Sequence, residues 1–342
     1  MQPLVSSHTS WQPLEEVIVG RTYSPDYFDF IQDAKVRNQL QRILSETEED
    51  LDNLQRTIEQ YGACVRRPTL PNKQTFQTDQ INECGVAVPP LTPRDWQITL
   101  GEKLLRIIPS PALNDICKSY GNAVVNPHGE HWDRNCILNG ASASCIVRVG
   151  RDIFFDNSEF LQTQQSQWII DNVLDPGYRI HTAVTDGHGD AVFAILKPGV
   201  ILSSKHDKNL DLETDFPGWE ILRIMDSSID AAMQVGKFRY ENFNGRWYVQ
   251  GQNPTDEFRR YVDTYLTQWV GYVKETVFDV NCLVLDESHV IFSAYNKKVF
   301  DFCQRHHIEP IISELRHSYF WDGGISCCTQ DIRRKGNLET YL

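Results

Sequence analysis

Four stretches decide the fold of this chain: WQITLGEKLLRII (96–108), CIVRVGRDIFF (145–155), AVFAILKPGVILS (191–203) and CLVLDESHVIFS (282–293). In each, β-branched, aliphatic or aromatic residues flank a turn built on Gly, Pro or Asp, which is how a β-hairpin is written in sequence. The turns begin at Gly101, Gly150, Lys197 and Asp286, so successive starts lie 49, 47 and 89 residues apart. The last interval is close to two of the others. A near-constant spacing predicts an internal repeat, here with one degenerate or inserted unit. A further strand, LEEVIVG (14–20), opens the chain.

Helical spacing fills the intervals. In QLQRILSETEEDLDNLQRTIEQYG (39–62), Leu40, Ile43, Leu44, Leu51, Leu54 and Ile58 share one face, and Gly62 is placed to cap the end. Stretches 160–172 and 256–274 also read as amphipathic helices. The span 237–254 is aromatic, polar and punctuated by Gly, which predicts a surface insertion or an active-site loop. No low-complexity linker divides the chain. The expectation is an α/β fold in which residues 1–342 form a single domain of repeated hairpin-plus-helix modules.

Composition narrows the function. The 342 residues are 41% apolar and 23% charged, as in an ordinary globular protein, and carry a net charge of −13. An acidic chain without a long basic run is a poor binder of nucleic acid, whereas a small cationic substrate suits it. There is no apolar run long enough for a membrane span, and the first residues lack the pattern of a signal peptide. Nine scattered cysteines fit a reducing, cytoplasmic setting better than a disulfide framework. Neither GxGxxG after a strand nor GxxxxGK[ST] occurs, so no nucleotide cofactor is expected. His128 and His131 stand three apart without a second ligand pair, so no metal site is expected either.

Candidate chemistry lies where the chain enters the hairpins. Asp95 precedes the turn at Gly101 by six residues. Ser142 and Ser144 precede Gly150 by eight and six, and His188 and Asp190 precede Lys197 by nine and seven. If the repeats gather around an axis, these side chains converge. Taken one at a time, Asp95 and Asp190 read more readily as turn residues. Near the C-terminus, DGGISCCTQDIRRKGNLETYL (322–342) offers Cys327, bracketed by glycines and followed by Arg333, Arg334 and Lys335, which would favour a thiolate. Two carboxylates, an imidazole and a thiol suit a planar guanidinium: carboxylates bind it, sulfur attacks its central carbon and imidazole moves protons.

The residues now named resemble the amidinotransferase family. WQPLEEVIVGR (11–21), VRRP (65–68), PRD (93–95), VRVGRDIF (147–154), HGD (188–190), PGVILS (198–203), LVLDE (283–287) and DIRRKGNLETYL (331–342) fall in the family's order along nearly the whole chain. The resemblance implies a five-bladed α/β propeller of ββαβ modules with pseudo-fivefold symmetry. It implies ping-pong transfer of an amidino group from L-arginine to an amine acceptor, with release of ornithine. Cys327 would be the nucleophile, His188 the general acid and base, and Asp95 and Asp190 the guanidinium-binding carboxylates. The partners implied are small molecules, with a homodimer as the family-level expectation.

The departures from the family pattern carry expectations of their own. Ser142-Ala143-Ser144-Cys145 stands where the family usually has Asp-Ala-Ala-Asp, so Ser142 replaces the carboxylate that orients the histidine. A lowered His188 pKa and an altered pH dependence are expected unless Asp186 or Asp133 substitutes. The family's carboxylate-binding Arg falls near Asp207, leaving Lys205 or His206 to serve. Ser326 stands where His commonly precedes the nucleophile, and Asp279 replaces a small polar residue near the acceptor pocket. The competing readings are a guanidino hydrolase that releases citrulline, and a guanidino-binding protein that has lost catalysis.

Overall fold

The four hairpins form as read. In the computed structural model, which describes residues 3–82, 85–129, 132–157, 161–185, 188–204, 211–224, 246–251, 253–271 and 278–342, the described strands make five three-stranded sheets and one two-stranded ribbon. Gln97–Leu100 pairs antiparallel with Lys103–Arg106, Ile146–Val149 with Asp152–Asp156, Phe193–Lys197 with Val200–Ser203, and Leu283–Asp286 with His289–Phe292. The second strand of each hairpin then takes a parallel partner: Val124–Val125, Arg179–Ala183, Glu220–Arg223 and Glu309–Ile312. A parallel partner cannot be reached by a tight turn, and helices Asn114–Lys118, Thr163–Asn172, Leu212–Asp215 and Lys297–Arg305 occupy the crossovers.

The fifth sheet joins the two ends of the chain. Leu14–Val19 pairs parallel with Cys64–Arg66 across the long helix Ala34–Gln60, and antiparallel with Thr329–Arg334 from the C-terminus. The unit that the spacing leaves missing is therefore completed by chain closure. Between Ser203 and Leu283 the described residues hold the strand Glu220–Arg223 and the helix Asp256–Tyr265 but no hairpin of the repeating kind. Asp33 caps the long helix by accepting from the Lys35 N–H, and Gly62, at φ +89°, ends it.

One expectation is corrected. The helix expected over 256–274 ends at Tyr265, because the chain turns to seat Trp269, whose indole N–H donates to the carbonyls of Val86 and Ala87 at 3.0 and 3.1 Å. The span 237–254 is described at 246–251, 253 and 254. There Trp247 and Val249 are buried in the same core as Phe258 and Phe320, while Arg246, Gly251 and Asn253 are exposed. Aromatic residues in a polar segment supply large apolar areas, and here that area is packed. No helix among the described residues is long and apolar enough to cross a membrane.

Candidate active site

One-turn segments lead into the hairpins and set the candidate residues. Asp95 lies on Pro93–Trp96, Ser144 on Ala143–Cys145 (with Ser142 capping it) and Asp190 on Gly189–Val192, which His188 precedes as its N-cap. Gly189 lets its segment approach the neighbouring hairpin: a Cβ there would lie 3.0 Å from Val147 Cγ2. Cys327 sits in the turn before the closing strand. Its carbonyl accepts from the Arg94 N–H at 3.4 Å, which ties the nucleophile turn to the segment bearing Asp95.

These side chains meet. Cys327 Sγ lies 4.0 Å from Asp190 Oδ2, to which the Ser326 hydroxyl donates at 2.9 Å, and His188 Nδ1 lies 3.5 Å from Asp95 Oδ1. Ser142 and Ser144 hydrogen-bond each other at 2.7 Å, both buried. The carboxylate found against the histidine is thus Asp95. Of the substitutes considered, Asp133 instead accepts from the Asn135 N–H, and Asp186 lies outside the described residues, as do Lys205 and His206. Asp279 is partly buried, with burial pushing its carboxyl up to about 6. Its hydrogen bond is from Asn296 at 3.4 Å, and no described contact joins it to Cys327.

Asn281 was not singled out in the sequence, although it too precedes a hairpin turn, that at Asp286. Its side chain brackets Cys327: Oδ1 accepts from the Cys327 N–H at 3.2 Å, and Nδ2 donates to Sγ at 3.1 Å. Its carbonyl also accepts from Ile325 and Ser326, at 3.1 and 3.4 Å. Arg94, quoted only within PRD, is the second omission. It is buried, and its charge opposes the effect of burial on Asp190.

The electrostatics correct one expectation. Arg333 pairs with Glu15 and Glu16, and Arg334 with Asp331. The basic run therefore does not act on Cys327. Burial raises the Cys327 thiol well above its usual range, and Asp190 and Asp95 push it the same way. Burial likewise raises the Asp190 carboxyl, against the pull of Arg94 and His188. The resting site is a neutral thiol beside two carboxyl groups. Asp190 Oδ1 is buried without a hydrogen-bond donor among the described residues, and Asp95 Oδ1 has the long contact to His188 in place of a hydrogen bond. Buried acceptors left open are costly, and a guanidinium supplies several N–H donors in one plane. Such a ligand would also add a positive charge beside the sulfur, lowering the cost of the thiolate.

Asp95, His188 and Asp190 lie just before β-hairpins, and Cys327 lies just before the closing strand. No family model matches the chain. Two curated relatives span nearly all of it. Inosamine-phosphate amidinotransferase 1 of Streptomyces glaucescens is 23% identical, with 99% of each chain covered. The mitochondrial glycine amidinotransferase of Danio rerio is 22% identical, with 99% of this chain and 85% of its own covered. Among solved structures, the inosamine-phosphate amidinotransferase of Streptomyces griseus superposes with a TM-score of 0.69 at 20% identity, covering 99% of both chains. A dimethylarginine dimethylaminohydrolase gives 0.55 at 11% identity, covering 93% of this chain and 100% of its own. The resemblance read from the motifs therefore holds over the whole chain. Both curated relatives are named as transferases of amidino groups, and the α/β fold is shared with the solved amidinotransferase and with the hydrolase.

Proposed function

We propose that this protein is an amidinotransferase that takes the amidino group of L-arginine onto Cys327 and passes it to an amine. The five three-stranded sheets are read as blades of an α/β propeller, with the site at the axis where the blades' leading segments meet. The observation that carries the reading is the pair of buried carboxylate oxygens, on Asp95 and Asp190, open beside the Cys327 sulfur and the His188 imidazole.

The guanidinium docks on Asp95 and Asp190, and its charge favours ionisation of the thiol, whose proton passes to His188. Sulfur attacks the guanidino carbon and an S–C bond forms. The C–N bond to the ornithine nitrogen breaks as His188 gives that nitrogen a proton. In the second half-reaction the acceptor amine attacks the same carbon, His188 takes its proton, and the thiolate leaves. Asn281 Nδ2 donates to the sulfur in both halves.

Incubation of the protein with L-arginine and no acceptor, followed by intact mass, tests this. A gain of one amidino group that a Cys327→Ala variant does not show is the expected result, with ornithine in solution. Citrulline in place of ornithine would assign the site to a hydrolase instead. Arginine bound but unchanged would leave only a guanidino-binding protein.

A further inference from the structure

Near Asp190, three buried guanidinium groups share one carboxylate, Asp331. Asp331 accepts from Arg148 Nη2 with both carboxylate oxygens at 2.8 Å and from Arg334 Nε at 2.8 Å, and its Oδ1 lies 3.9 Å from Arg94 Nη1. All four side chains are buried. The remaining described bonds of these guanidinium groups go to neutral acceptors: Ser7 Oγ and the carbonyls of Thr99, Gln12 and Ile146, with Gln330 Oε1. Asp331 is the carboxylate these three guanidinium groups share, with Asp190 beside Arg94 and Asp286 acting on Arg334.

A cavity of about 70 Å³ lies among these groups, lined by Arg94, Arg148, Arg334, Asp331, Asp190 and Ser10, with largely apolar residues making up the rest of its wall. The Nε atoms of Arg94 and Arg148 are buried with no hydrogen-bond partner among the described residues. Burial draws Arg148 down to about 10, and the neighbouring Arg94 and Arg334 act in the same direction, against Asp331. A buried cation without a counter-ion is expensive. Room for one water takes roughly 10–15 Å³, so this space admits a small ion together with several waters.

We propose that this cavity binds one small monovalent anion of chloride size, held by Arg94, Arg148 and Arg334. It accepts from the arginines that share Asp331, in a cavity whose wall includes Asp190. The proposal does not depend on the reaction assigned to Cys327.

The test uses the full chain without arginine. Its melting temperature is followed as sodium chloride or sodium bromide replaces sodium gluconate at constant ionic strength. The expected result is a rise of roughly 2 °C for each tenfold increase in halide above its Kd. An Arg334→Met variant should melt at the same temperature in both salts. Because that variant could fail to fold, crystals of the unaltered protein soaked in bromide give an independent reading. An anomalous peak within hydrogen-bond distance of the guanidinium groups supports the site. No peak in the cavity overturns it, even where halide shifts the melting temperature, because the ion then acts elsewhere.

Discussion

Asn281 and Asp190 act on the Cys327 sulfur with opposite sign. Asn281 donates a hydrogen bond to it and stabilises the thiolate, whereas Asp190 is an anion 4.0 Å away and destabilises it. Hydrogen bonds to charged groups contribute about 1.5–3 kcal/mol. Asn281→Ala should therefore slow amidination of Cys327 by roughly tenfold to a hundredfold. It should also move the pH profile of iodoacetamide alkylation at Cys327 to higher pH. Asp190→Asn should move the same profile to lower pH in the free protein while abolishing the reaction with arginine, since the carboxylate that hinders the thiolate is also the one proposed to bind the guanidinium. Alkylation profiles displaced in the same direction by both variants would refute this division of roles.

The nucleophile turn depends on a close approach that only glycine permits. A Cβ on Gly324 would lie 2.5 Å from Asn281 Oδ1 and 2.7 Å from its Cβ and Cγ. Gly324→Ala should push the turn away from Asn281, at a cost of roughly 1–3 kcal/mol in stability. Urea denaturation and the alkylation rate of Cys327 should both register the change. Unaltered stability and reactivity would show that the turn adapts without loss. Much of this element level was legible in the sequence. The hairpins announce themselves through β-rich runs around turn residues, and the rule that candidate side chains lie just before each hairpin picks out Asp95, His188 and Asp190, which the structure brings close together. Applied to the last hairpin, the same rule would have reached Asn281. Charge was misjudged because adjacency along the chain was taken for adjacency in space: Arg333 and Arg334 follow Cys327 closely, yet their partners are Glu15, Glu16 and Asp331. Burial, which dominates the thiol, is a property of the packed molecule and has no local signature.

At the scale of the whole molecule, the closing of the chain was the least legible feature. Thr329–Arg334 beside Leu14–Val19 is a contact between residues more than 300 positions apart, and no local periodicity encodes it. What holds the closure includes Asp331, which gathers arginines from three places: Arg94 before one hairpin, Arg148 within the next, and Arg334 on its own strand. Those guanidinium groups hold its carboxyl far below the usual carboxylate range, against the opposing effect of burial. A carboxylate with a depressed folded-state pKa contributes stability that is complete above its unfolded value, 3.8, and is lost as the pH falls through and below that value. The urea midpoint should therefore decline as the solution is acidified below about pH 5. Asp331→Asn should flatten its own contribution to that decline, starting from a stability already lower by roughly 3–5 kcal/mol at neutral pH, because removing the shared anion leaves buried cations unpaired. Should the variant prove too unstable to purify, partial unfolding at neutral pH already reports the predicted loss. A variant as stable as the parent at pH 7 would mean that the arginine cluster is compensated without Asp331, and that the two ends of the chain are held by strand pairing and packing alone.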